Sequence, residues 1–212
     1  MKTDQLINLL STNLEPVKRG ETKKTLTWTI LAGGLAAVCL MFATVGLRPG
    51  GGSFLSGYLV LKLLFMLILI GTGAALLAKL ISPGQDGHKL YMVILLAFLA
   101  VGGAGICALV LGPAPARGEM MMGSQWATCA LCIPLFAIVP FSALIWALRK
   151  GAPTNLRRTG AVAGLVAGAL GALAYAFHCP DDSLPFIALW YGGMVALCTL
   201  LGAILGPRLL RW

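Results

Sequence analysis

The chain has 212 residues, of which 58% are hydrophobic and 11% charged, and its mean hydropathy is +0.89. That leaves too little polar surface to cover a soluble globule, so composition points to an all-α integral membrane bundle. The formal net charge of +9 comes from 16 Lys and Arg against 7 Asp and Glu, and in so apolar a chain it reads as an orientation bias rather than as a nucleic-acid surface.

Residues 1–25 are the one stretch long enough to act outside a membrane. Thr3 or Asp4 can cap a short helix in which Leu6, Leu9, Leu10 and Leu14 recur at three- and four-residue intervals, with Ile7 widening the stripe and Pro16 ending it. Such a stripe either lies on the bilayer surface, helped by Lys18, Arg19, Lys23 and Lys24, or enters a groove on a protein partner. A long polar stretch ahead of a full-length apolar run does not fit a cleaved secretory signal, so this segment is expected to be retained.

A helix needs about 20 apolar residues to cross a hydrocarbon core of roughly 30 Å. Six such runs fill the domain 26–212: spans 26–47, 57–80, 90–111, 126–148, 159–177 and 184–205, separated by Gly- and Pro-rich breaks. With both termini cytoplasmic, Arg48 and Arg117 alone among the Lys and Arg fall outside, Lys62 lies within span 2, and the rest stay inside. Lys62 sits about a turn and a half from the outer end, so its four-carbon stem is expected to snorkel to the interface rather than enter a buried ion pair. Pro134 and Pro140 each remove a hydrogen bond from span 4 and predict a bend. In span 5, Gly160, Gly164 and Gly168 with Ala172 form a small-residue ridge expected to pack inside the bundle.

Topology sorts the six cysteines. Cys39, Cys107 and Cys198 lie within spans and read as small apolar fillers. Cys129 and Cys132 occupy the first turns of span 4 at its outer end, where the helix dipole would activate Cys129 in particular, and Cys179 sits in the outer turn between spans 5 and 6. The run His178-Cys179-Pro180-Asp181-Asp182 places an imidazole and two carboxylates beside that thiol, a set able to hold a soft or borderline metal ion. Local roles compete with this: Asp182 and Ser183 can cap span 6, Pro185 suits its first turn, and His178 can complement the end of span 5. The Cys129-Ala-Leu-Cys132 spacing alone leaves the chemistry open.

Several stretches together resemble the NrsF family of six-span bacterial membrane anti-sigma factors. They are Thr3-Asp-Gln-Leu-Ile7 with Leu14 and Pro16, Trp126-x-x-Cys129, Arg149-Lys-Gly-Ala-Pro153, the Gly160 to Gly168 ridge, Tyr175-x-x-His-Cys179, Asp182-Ser-x-x-Phe186, Trp190-Tyr191 and the tail Gly206-Pro-Arg-Leu-Leu-Arg-Trp212. The similarity runs from one end of the chain to the other. It implies a protein of the bacterial inner membrane that is not an enzyme and holds an extracytoplasmic-function sigma factor inactive until stress outside releases it. It also implies that two periplasmic cysteines are needed for the response, and the Trp-x-x-Cys and His-Cys contexts carry these onto Cys129 and Cys179. Cys132 departs from the family pattern.

The sensing set expected from both lines is thus Cys129 and Cys179, with His178, Asp181, Asp182 and Cys132 beside them, and the partner-binding set is Leu6, Ile7, Leu9, Leu10 and Leu14. Oxidants or thiophilic metals such as chromate, cadmium or copper would act at the thiols. No resident cofactor is expected, only a transient metal ion on Cys129, Cys179 and His178. Two other classes fit the same helix count. A thiol-disulfide oxidoreductase would relay through Cys129, Cys132 and Cys179 but needs a quinone pocket, and a small transporter needs ionisable groups near midplane.

Overall fold

The computed structural model describes residues 21–47, 57–81, 87–151 and 153–211. The stripe from Leu6 to Leu14 therefore lies outside the described residues. Among those described, six helices are long and apolar enough to cross a bilayer: α1 (Glu21–Thr44), α2 (Gly57–Leu80), α3 (His88–Leu111), α5 (Trp126–Leu148), α6 (Leu156–Ala176) and α7 (Leu184–Leu209). A 3-10 turn over Ala114–Ala116 and a short helix α4 (Arg117–Met122) lie between α3 and α5. We call the end where α1 finishes and α5 begins the distal end.

Local chemistry sets the boundaries. Asn155 caps α6 by accepting the Arg158 N–H at 3.0 Å, and Ser183 caps α7, whose first turn holds Pro185. The α4 helix stops at Gly123, whose φ of +58° favours glycine. The α1 helix starts five residues before its apolar run, because Glu21 and the lysines that follow are good helix formers at an aqueous interface. The α5 helix continues through Pro134 and Pro140, and Pro140 is set against Gly33 of α1.

Helix α6 is the axis of the bundle. Of its 21 residues, 16 are buried, and it packs on α7, α5, α2 and α1. Glycine and alanine make this possible, because without large side chains neighbouring backbones approach closely. The Gly160, Gly164 and Gly168 ridge meets Cys198, Gly202 and Gly206 of α7: a Cβ at Gly164 would run into the Cys198 carbonyl oxygen, and one at Gly160 into that of Gly202. Gly164→Val should therefore cost about 3 kcal/mol of stability by overpacking, seen as loss of monodisperse protein in detergent. Gly193→Ala, which meets nothing within 4 Å, should behave as wild type in the same assay. Helix α3 is the opposite case. Only Val101 and Gly105 are buried, and its main contacts are with α2 and with the distal start of α7.

Candidate functional site

The two thiols implicated by sequence context lie in one buried core at the distal end. Cys129, in the first turn of α5, and Cys179, in the turn between α6 and α7, are both fully buried in one core and carry free thiols. Four aromatic side chains share this core. Tyr175 lies 6.5 Å from Phe136 and 6.2 Å from Tyr191 between ring centroids, and Phe186 stands 6.3 Å from Tyr191. The backbone of α7 is π-helical over Ile187–Gly192, the segment that presents Tyr191 to this core. Such turns are often found at functional sites. The hydroxyls of Tyr175 and Tyr191 are buried; that of Tyr191 adjoins the Cys179 thiol, yet neither meets a partner in hydrogen-bonding geometry.

Lys62 departs from expectation. Its side chain is fully buried instead of reaching the interface, and its ammonium donates to the Asp182 carboxylate at 2.8 Å and to the Asp181 carbonyl at 2.8 Å. It also stands 4.6 Å from the Tyr191 ring centroid. The turn between α6 and α7 folds over this end of α2 and brings acceptors to the ammonium, so the stem has no need to seek water. The Cys179 Sγ approaches the same Asp181 carbonyl oxygen at 4.0 Å. Burial pushes the Cys179 thiol above its ordinary range, with the Lys62 charge opposing. The resting thiol is therefore protonated at neutral pH.

Asp181 and Asp182 divide the work. Asp181 accepts from the backbone N–H groups of Ser124 at 2.9 Å and Gln125 at 2.8 Å, and from the Ser124 hydroxyl at 3.1 Å. A carboxylate there satisfies the free N–H groups at the start of α5 and complements its dipole. The carboxylate of Asp181 thus faces the positive end of α5, one turn from Cys129. Asp182 pairs with Lys62, and the cap of α7 is Ser183. A cavity of about 440 Å³ lined by Glu119, Ser124 and the 180–183 turn lies on the distal surface.

His178 points elsewhere. Its Nδ1 lies 3.0 Å from the Gly46 carbonyl and so donates to it, which ties the α6 end to the exit of α1. The metal set Cys129, Cys179 and His178 is consequently not assembled. Among the described residues no group of three or more His, Cys, Asp or Glu is arranged to hold a metal ion. Cys132 is half-buried next to Cys129, Cys198 is buried at the α6–α7 contact, and Cys39 and Cys107 face outward from the bundle. Two further ties close the distal end: Ser183 Oγ donates to the Met120 carbonyl at 2.7 Å, and Trp190 Nε1 to that of Met121 at 3.0 Å.

Residues 10–212 match the family described as NrsF, negative regulator of sigma F. The chain is 28% identical over 213 residues to a probable anti-sigma-F factor NrsF of Azospira oryzae, with 100% of both chains covered. It is 29% identical over 214 residues to the anti-sigma-F factor NrsF of Caulobacter vibrioides, again over 100% of both. No solved structure matches it.

Proposed function

The chain belongs to the NrsF family of negative regulators of sigma F, and from that membership we propose that it is a membrane-bound anti-sigma factor switched by the Cys129 and Cys179 thiols. Its role is regulatory rather than enzymatic. In this reading both termini face the cytoplasm of a bacterium, the distal end faces the periplasm, and Leu6, Ile7, Leu9, Leu10 and Leu14 hold an extracytoplasmic-function sigma factor at the inner membrane. An oxidant takes two electrons from the thiols, and two protons leave as the disulfide forms. A thiophilic metal would instead displace the protons and bridge the sulfurs.

The observation that carries this reading is the convergence of Cys129 and Cys179, 50 positions apart in the sequence, in one buried core. The turn bearing Cys179 is also held by Lys62 of α2, while the adjacent His178 is joined to Gly46 just beyond α1. The other end of α1 continues into the N-terminal segment. A change at the thiols thus has a contiguous physical route, through the turn and α1, to the residues assigned to the sigma factor.

Deleting residues 1–16 should abolish co-purification of the sigma factor and raise its transcriptional output to that of a strain lacking the chain, with membrane insertion unchanged. Replacing Leu6, Leu10 and Leu14 by Asp should do the same. Retained co-purification would place the binding surface on another cytoplasmic part of the chain.

A further inference from the structure

Helix α3 leaves a gap. It meets α2 and the distal start of α7, but it has no extensive contact with α6 or with the rest of α7. A half-open cavity of about 550 Å³ remains at the end opposite the thiols. Its walls are Tyr91 and Ile94 of α3, Val162 and Leu165 of α6 and Thr199 of α7, whose hydroxyl is bonded to the Val195 carbonyl, and its rim carries Arg158 and His88. Arg158 to Leu165 is about two turns of helix, so the cavity reaches roughly 10 Å into the bundle from the interface.

A volume of this kind inside a bilayer does not stay filled with water, because apolar walls at that depth favour hydrocarbon. Its rim has the opposite character. The Arg158 guanidinium presents a planar fork of donors suited to phosphate, and His88 adds a second polar group on the facing helix. Apolar depth beneath a basic rim is the complement of a phospholipid, with an acyl chain between α3 and α6 and a phosphate against Arg158. Basic pockets between helices at a membrane face are a known form of headgroup recognition.

We propose that the α3–α6 groove binds one anionic phospholipid, with its phosphate on Arg158 and His88 and one acyl chain along Tyr91, Ile94, Val162 and Leu165. The bound lipid completes the packing of α3, which otherwise buries little of its surface against the protein. This assignment is independent of the sigma-factor reading.

Native mass spectrometry of the full chain in detergent tests it, with phosphatidylglycerol and phosphatidylcholine as probes. Wild type should retain one phosphatidylglycerol at least about fivefold better than phosphatidylcholine. Arg158→Gln with His88→Gln should bring the two lipids to parity. Arg157→Gln, which removes the adjacent cation outside the groove, should keep the preference. Ala161→Phe, which fills the groove from its half-exposed side, should lower retention of both lipids; a monodisperse elution profile verifies the fold of each variant. Equal retention of the two lipids by wild type, or an unchanged preference in the Arg158→Gln, His88→Gln protein, would overturn the proposal. Retention that emerges only after residues 1–20 are deleted would also overturn it, by assigning the groove to that segment.

Discussion

Lys62→Met should open the distal end of the bundle. The substitution keeps most of the stem volume but removes the cation from the Asp182 carboxylate and the Asp181 carbonyl, both 2.8 Å away. Removing one partner of a buried pair is far costlier than removing both, and a loss of about 3 kcal/mol is expected here. The loss falls on the turn that carries Cys179, so a membrane-impermeant maleimide should label Cys179 readily in the variant and hardly at all in the reduced wild type. Sigma-dependent transcription should rise without any stress. Lys62→Met combined with Asp182→Asn should recover most of the stability, since the carboxylate that Lys62 neutralised is then removed as well. If Lys62→Met were as stable and as poorly labelled as wild type, the ion pair would not hold the turn.

Cys129→Ser and Cys179→Ser should each leave repression intact and abolish induction by oxidant or metal. Both side chains are fully buried, so serine at Cys129 also introduces a hydroxyl into an apolar core at a cost of about 1–3 kcal/mol, whereas at Cys179 the Asp181 carbonyl offers the hydroxyl an acceptor. The sigma factor should nevertheless stay bound, provided the Lys62 pair is intact. Cys39→Ser and Cys107→Ser, at outward-facing positions, should respond normally. Cys132→Ser separates two chemistries: an unchanged response makes it a packing residue, whereas a lost response makes it the redox partner of its neighbour Cys129. Transcriptional induction of a reporter by chromate or cadmium, measured in each variant, reads these outcomes directly. Normal induction in the Cys129→Ser, Cys179→Ser double variant would remove the thiol mechanism.

Much of this architecture can be read from local sequence. A membrane span declares itself in one continuous apolar run, and the glycine ridge of α6 declares its packing by spacing, because both depend on neighbours in sequence. Helix ends were less legible: α1 gains Glu21 to Thr25, α3 gains His88 and Lys89, and α7 runs on through Pro207 to Leu209. Polar and turn-forming residues at an interface do not stop a helix already anchored in lipid. The short helix α4 has no apolar period to announce it, and its segment reads as loop.

Long-range pairing explains what was missed at the site. Lys62 and Asp182 stand 120 positions apart, and nothing near Lys62 in sequence points to a carboxylate. The available signal was the rule that an ionisable residue within a span has a partner, set against the ease with which lysine snorkels. Asp181 was legible as a polar neighbour of Cys179, but its service to the start of α5 depends on the α6–α7 turn crossing over that helix. His178 reads as a ligand by its position beside a thiol, yet the fold turns its Nδ1 to Gly46.

The proposed switch is release of a bound sigma factor from this membrane protein when Cys129 and Cys179 are modified. Its most direct test is to pull the tagged full-length chain from membranes before and after oxidant treatment and to quantify the sigma factor that comes with it. Wild type should retain the sigma factor when reduced and lose most of it when oxidised, while the Cys129→Ser, Cys179→Ser protein should retain it under both conditions. Equal retention by wild type before and after oxidation, with disulfide formation verified in the same sample, would contradict the account.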